Sequence, residues 1–272
     1  MLRHISAVVC TSLLVAGGSA NPQGFVPDCP IPFAGIAKHR SIDDTCLARG
    51  DVPDPPVNQD QAAHTLQNLA KNNFCATGPP ALVTFISFKR LQQKLDQKES
   101  AAKTWDQQNL PTDRSVFLSV HTTSEGATIG EGTLVTFAGW LKKTRPGGSE
   151  SCNCDDPDAL DVHVVLIRSS DAPECRSVTA EISPHFQPDQ WNRDTLKSVR
   201  DHPLRFTGQL MYDAAHRPCP HKHSTDPSRV SSWEIHPVYA IDVCTKKSLS
   251  SCKADNNDRA VWVPLDQWHG DE

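Results

Sequence analysis

Hydrophobic and polar residues alternate in several short segments of the second half of the chain. In the segment SSWEIHPVYAIDVC, residues 231–244, every second residue from Trp233 is apolar, while Glu234 and His236 share the other face. A period of two residues predicts a β-strand with one buried face. The same analysis predicts five strands, at residues 130–143, 161–169, 176–182, 203–213 and 231–244.

A different period marks the first half, where apolar residues recur at helical spacing. The first helix is expected after Asn58 or Asp60, either of which can cap its start, and a Gly-Pro-Pro sequence ends it. Its expected apolar stripe consists of Ala62, Leu66, Leu69, Ala70 and Phe74. The polar residues 71–73 are interpreted as the solvated end of this helix, with a contact surface as the alternative.

Two further helices are expected. One extends from Thr84 to Lys98, with phenylalanine and leucine residues at helical spacing. The other occupies residues 183–201, between the third and fourth strands, with Asp189 as its N-cap.

The N-terminus has the pattern of a secretory signal peptide. The basic sequence MLRH precedes the apolar run ISAVVCTSLLVAGG and the small residues GSA, which predicts cleavage after Ala20. No later segment approaches the roughly 20 apolar residues of a membrane helix, so a secreted or periplasmic protein is expected. The chain is therefore divided into a signal peptide (1–20), a helical or irregular N-terminal region (21–112) and a barrel domain with a C-terminal extension (113–272).

Export changes the meaning of the cysteines, because disulfides form and persist in oxidising compartments. The sequence has ten cysteines, and nine remain once Cys10 leaves with the signal peptide. Up to four disulfides are expected, with one cysteine left over. Residues 21–56 are rich in proline and glycine, and we expect them to form loops held by Cys29 and Cys46.

The order of the elements over residues 128–246 is strand, strand, strand, helix, strand, strand. This order resembles the OB-fold, a small five-stranded barrel with its helix between the third and fourth strands. The expected fold class is thus α+β, with a small helical, cysteine-stapled N-terminal region followed by an OB-type β-barrel. The motif WEIHPV is also similar to segments of uncharacterised exported bacterial proteins, a resemblance that implies no activity.

The OB-fold resemblance implies a ligand site on strands two and three, flanked by the loop between strands one and two and the loop between strands four and five. These are the two longest loops of this half, and long loops in compact domains are often functional. They carry Cys152, Cys154, His216, Cys219, His221 and His223. Three interpretations stay open: a disulfide from Cys219 to Cys152 or Cys154, a zinc site, or a redox pair of thiols.

The strands supply a second set of candidate ligand-binding residues, namely Asp161, His163, Glu181, Arg205, Glu234 and His236. In an OB-type barrel strand three lies between strands two and five, so His163, Glu181 and His236 are expected to converge with Glu234 on the outer face. Trp233 and Ile235 would then enter the core. Such a cluster could bind a divalent metal or perform acid–base catalysis. The alternative is the ordinary polar face of a half-buried sheet.

Charge and missing motifs narrow the functional classes. The formal net charge is −5, which argues against non-specific binding to the phosphate backbone of nucleic acids. The sequence contains no phosphate-binding glycine loop, GxSxG elbow, HExxH motif or dinucleotide fingerprint. We expect an exported binding protein for a saccharide, protein or nucleic-acid ligand, without a cofactor. The alternative is a nuclease-like, metal-dependent hydrolase, with zinc as its cofactor.

Overall fold

The structure, a computed structural model, describes residues 40–75, 78–99, 104–219 and 228–270. The expected signal peptide, Cys29, His221 and His223 lie outside these residues. The fold class is α+β, as the sequence predicts, with a helical, disulfide-linked N-terminal region followed by a closed five-stranded barrel. The barrel is consistent with an OB-like fold.

The described part of the N-terminal region contains two α-helices, α1 (Gln59–Lys71) and α2 (Phe85–Asp96). The side chain of Asn58 caps α1 by accepting a hydrogen bond of 2.9 Å from the backbone N–H of Gln61. Thr84 and Ser87 cap α2 reciprocally. Both helices therefore begin close to where their sequence patterns place them.

Short strands and 3₁₀ turns surround the barrel strands in the described part of the chain. The strands are β1 (Ala81–Leu82), β2 (His121–Thr122), β3 (Thr128–Ile129), β4 (Leu134–Pro146), β5 (Val162–Ile167), β6 (Val178–Ile182), β7 (Pro203–Tyr212), β8 (Trp233–Cys244) and β9 (Trp262–Pro264). The 3₁₀ turns are Ser41–Asp44, Arg114–Phe117, Ser151–Asn153, Glu174–Arg176, Pro184–Phe186 and Leu265–Gln267.

The barrel closes through the strand order β4-β5-β6-β8-β7, because β7 also pairs with the first half of β4. The pairing of β6 with β8 is parallel, and the other pairings within the barrel are antiparallel. The third barrel strand thus lies between the second and the fifth, as the OB-fold resemblance implies. Strand β1 adds to β4, strand β9 adds to β8, and β2 and β3 form a separate hairpin.

One continuous hydrophobic core joins the barrel to the N-terminal region. Trp233 is fully buried in it and packs against Tyr212 and Phe117, with ring centroids 5.6 and 6.1 Å apart. Phe88 of α2 contacts Phe137 of β4 edge to face at 5.5 Å. The predicted burial of Trp233 and Ile235 is therefore correct.

The single helix expected over residues 183–201 is wrong in extent. The segment contains the 3₁₀ turn Pro184–Phe186 and the short helix α3 (Arg193–Ser198). Pro188 disfavours a helical conformation at the residue before it, and this interrupts the segment. The N-cap is Asn192, whose side chain accepts hydrogen bonds from the backbone of residues 194 and 195, and not Asp189.

The disulfides differ from the expected link between the two long loops. The described pairs are Cys46–Cys154, Cys175–Cys219 and Cys244–Cys252, and Cys152 is a buried free thiol. Cys46 reaches Cys154 because the N-terminal region packs on the β4–β5 loop, where the Asn72 side chain donates to the carbonyl of Cys152 at 2.8 Å. No helix of the described residues is long and apolar enough to cross a membrane.

Candidate functional site

The register of three neighbouring strands brings the predicted histidines and carboxylates together. His163 of β5 is the direct cross-strand partner of Glu181 of β6. Ala180 pairs with Ile235 across the parallel β6–β8 ladder, which places Glu181 beside His236. Because alternate residues of a strand share a face, Glu234 lies on the same side as His236.

The side chains of these residues are in contact. His236 Nδ1 lies 2.9 Å from Glu181 Oε2 and 3.4 Å from Glu234 Oε1. His163 Nε2 lies 3.4 Å from Glu181 Oε1 and 3.6 Å from Glu150 Oε1. Glu181 is therefore the centre of the cluster, with an imidazole on either side.

The two long loops and α1 complete the cluster. Lys71, at the end of α1, pairs with Glu150 of the β4–β5 loop and lies 3.9 Å from Glu181. From the β7–β8 loop, Arg229 Nη1 lies 2.6 Å from Glu234 Oε2 and 3.6 Å from Asp213 Oδ2. The loops that the OB-fold resemblance singles out thus converge on the predicted strand residues.

The expected solvent exposure of this face is wrong. Glu181, Glu234 and His236 are completely buried, and His163 is 5% exposed. The cause is that α1 and the β4–β5 loop cover the face, so β8 is buried on both sides. A buried carboxylate needs a partner, and Arg229 supplies one for Glu234.

The buried carboxylates control the protonation of both histidines. Burial by itself lowers the pKa of His163, but the charge of Glu181 and a hydrogen bond with Glu150 outweigh it and raise the pKa to about 9. Burial also opposes protonation of His236, yet its hydrogen bonds with Glu181 and Glu234 raise its pKa to about 10. The surrounding carboxylates thus favour the protonated form of both imidazoles.

The carboxylates of the cluster are pushed in opposite directions. Desolvation, reinforced by the charge of Glu150, raises the pKa of Asp161 to about 7. Glu150 is also desolvated, but the ammonium of Lys71 outweighs this effect and lowers its pKa to about 2. Desolvation, with the charges of Glu181 and Asp213, raises the pKa of Glu234. Acids of contrasting strength thus lie within one cluster, an arrangement common at functional sites.

Several sets of side chains in the cluster could hold a cation. In the described residues, donor atoms within 4.8 Å of one another occur in the sets Glu150–His163–Glu181, Glu150–Cys152–Asp161, Asp161–Glu181–His236 and Glu181–Asp213–Glu234. Glu181 belongs to three of these four sets, which agrees with its central position.

A pocket of about 480 Å³ lies directly beside the cluster. Helix α1 forms one wall with His64 and Gln67, and the β4–β5 loop forms another with residues 148–152. Lys71, Glu150 and His163 belong to both the cluster and the pocket lining, together with His216. No aromatic ring of Phe, Tyr or Trp is among the described residues that line this pocket. A molecule in the pocket can therefore reach charged and hydrogen-bonding groups, but has no such ring to stack on.

The zinc set expected from the loop cysteines does not form. Cys154 and Cys219 are in separate disulfides, so neither offers a thiolate, and burial raises the pKa of the Cys152 thiol. His216 instead contacts Asp213 through Nδ1. The paired state of Cys154 and Cys219 also excludes a free thiol pair at these positions.

Arg205 lies apart from the other candidates. Its guanidinium pairs with Asp242 at 2.9 Å and stacks over Trp262, with 4.9 Å to the ring centroid. Both partners lie toward the far end of β8, so Arg205 is not part of the cluster.

Sequence analysis missed four charged members of the cluster: Lys71, Glu150, Asp213 and Arg229. Lys71 is 4% exposed, so its interpretation as a solvated helix end is wrong. The face of α1 that is turned to the barrel carries Ala63, Gln67 and Lys71, at a spacing of four residues. That spacing is the signal in the sequence, but it is hard to recognise because two of the three residues are polar.

Comparisons with known proteins do not identify a family for this chain. No protein-family model and no curated protein matches the chain. The solved structure of Entamoeba histolytica asparaginyl-tRNA synthetase is similar over 49% of this chain and 27% of that chain, with 19% sequence identity and a TM-score of 0.25. A similarity at this level carries no argument about function.

Proposed function

We propose that the protein is an exported binding protein whose pocket beside the barrel takes a small saccharide. The observation that carries this proposal is the pocket itself, which lies between the two long loops and over the predicted strand residues. Its volume of about 480 Å³ falls within the range of small-molecule sites, roughly 300–1,000 Å³.

The lining of the pocket favours a hydroxyl-rich ligand over the other ligand classes. Gln67, Asn68 and Ser149 offer amide and hydroxyl groups, and Lys71 and His163 offer charged hydrogen-bonding groups. Base stacking on exposed rings, on which single-stranded nucleic-acid binding depends, has no ring of Phe, Tyr or Trp here. A protein partner would need a contact of roughly 800 Å² on each side, whereas this pocket is a local depression.

The disulfides support the export that this proposal includes. The three described disulfides are typical of an oxidising compartment, where exported binding proteins operate. Together with the signal-peptide pattern, they support export and cleavage after Ala20. Sequencing the N-terminus of the exported material tests this part of the proposal, and an intact Met1 would contradict it.

Gly148 gives a direct test of the pocket. A Cβ atom built on Gly148 meets no heavy atom within 4 Å, so the Cβ of a larger side chain fits there without a steric clash. Gly148→Trp should place an indole in the pocket and abolish binding in a calorimetric screen of mono- and disaccharides. Gly148→Ala, the matched control, should retain binding. Unchanged binding in Gly148→Trp, or no binding of any saccharide by the wild type, contradicts the proposal.

A metal-dependent hydrolase is the second candidate, because His163 is shared by the pocket and the cluster. In such an enzyme His163 would connect a substrate in the pocket to the groups around Glu181. This activity requires a metal ion in addition to the pocket. It is tested by incubating metal-loaded protein with polymeric saccharide and nucleic-acid substrates and measuring the products.

A further inference from the structure

We propose that Asp161, Glu181 and His236 bind a divalent transition metal ion at the base of the cluster. One donor atom of each lies within 4.8 Å of the donor atoms of the other two, and all three residues are completely buried. Glu181 and His236 lie in the neighbouring barrel strands β6 and β8. Asp161 directly precedes β5, and its backbone carbonyl accepts a hydrogen bond of 2.6 Å from the N–H of Gly147.

Unsatisfied polar atoms in the triad support this assignment independently of its composition. Asp161 Oδ1 and His236 Nε2 are buried and have no hydrogen-bond partner among the described residues. Asp161 keeps one hydrogen bond, from the side-chain amide of Asn153 to Oδ2 at 3.1 Å. Buried polar atoms without partners are costly, and a bound cation removes that cost.

The donor set selects the class of metal. One imidazole with two carboxylates suits ions such as Zn²⁺ and Mn²⁺, whereas Ca²⁺ and Mg²⁺ prefer sites made of oxygen atoms alone. The second triad, Glu150–His163–Glu181, shares Glu181 and includes two residues of the pocket wall.

Zinc uptake by the folded protein tests the proposal without any saccharide. The exported, oxidised wild type is treated with a chelator, dialysed and titrated with Zn²⁺ in a calorimeter, with Mn²⁺ as a second probe. We expect one equivalent per chain and a higher melting temperature of the loaded protein, because an ion that binds the folded state stabilises it. A wild type that stays folded and takes up neither ion overturns the proposal.

Substitution of the ligands localises the uptake. His236→Gln should weaken Zn²⁺ binding by more than about 100-fold, beyond the roughly 10–100-fold that loss of an outer-shell partner produces. His202→Gln is the matched control, because His202 is also buried but bonds to the backbone carbonyl of Cys244 at 2.8 Å. Equal affinities in the two variants overturn the assignment.

A second ligand variant and a pocket variant guard against ambiguous results. If His236→Gln fails to fold, Asp161→Asn, which keeps the shape of the side chain, replaces it and is read in the same way. Gly148→Trp should still bind zinc, so failure of the saccharide proposal and failure of the metal proposal give different results.

Discussion

Replacement of Lys71 by methionine tests whether the contact between α1 and the barrel depends on one buried charge. Methionine has a similar length and no charge, so the substitution leaves little cavity. At an effective dielectric constant of about 20, the attraction between Lys71 and Glu181 across 3.9 Å is about 4 kcal/mol. The second contact, with Glu150, is closer still.

The net effect is smaller than the sum of these attractions, because burying the ammonium also costs desolvation energy. Removal of one partner from a buried ion pair typically destabilises a protein by about 3–5 kcal/mol, since it leaves the other charge uncompensated. We therefore expect Lys71→Met to lower the free energy of unfolding by about 3–5 kcal/mol. Guanidinium unfolding of the oxidised protein, followed by tryptophan fluorescence, measures this difference.

Two further variants make the test specific to the charge. Lys71→Met combined with Glu150→Gln should be less destabilised than the sum of the single variants, because the second change removes one of the stranded charges. Lys94→Met is the control, since Lys94 is exposed on α2 and its replacement should change stability by no more than about 0.5 kcal/mol. If Lys71→Met is as mild as Lys94→Met, the cluster does not depend on this charge and the argument is refuted.

Three other outcomes follow from the cluster and the core. Despite the opposing effect of burial, Lys71 holds the pKa of Glu150 at about 2, so ionised Glu150 stabilises the fold above its ordinary pKa of 4.5. This contribution disappears as the pH falls toward 2, and an acid titration of Glu150→Gln followed by circular dichroism should lack that component. Trp233→Ala should cost about 3–5 kcal/mol in denaturant unfolding, as for other fully buried aromatic residues. Glu234→Gln should also destabilise the protein, by up to about 3–5 kcal/mol, because it removes the closest partner of the buried Arg229 guanidinium and leaves Asp213 at 3.6 Å; a loss below about 1 kcal/mol would contradict the ion pair.

The barrel could be predicted from the sequence because its strands have a period of two residues and an order with few alternatives. The same order predicted that His163 and Glu181 would meet His236, since neighbouring strands fix neighbouring side chains. The environment of these residues could not be predicted. Whether a polar strand face meets water or another part of the chain depends on long-range packing. The alternation of apolar and polar residues within one strand contains no information about that packing.

The buried face of helix α1 could not be predicted from the sequence either. Its leucines predicted which face would be buried, yet Leu66 and Leu69 are only half-buried, while Gln67 and Lys71 face the barrel. A polar helix face is buried here because the surface that it covers is polar as well. Hydrophobic periodicity assumes an apolar core, so it assigns the wrong face when the buried partner is an ionic cluster.

The disulfide Cys46–Cys154 covalently links the N-terminal region to the β4–β5 loop, which together cover the buried cluster. It joins residues 108 positions apart in sequence, and a cross-link closing a loop of about 100 residues restricts the unfolded chain by about 4.7 kcal/mol in the chain-entropy model. A barrel produced alone, without the N-terminal half, would leave Cys154 unpaired and hydrate Glu181 and His236. Binding measurements on such a barrel would therefore report on a surface that is buried in the full chain. Protein folded in a reducing cytoplasm would also lack the Cys46–Cys154 disulfide.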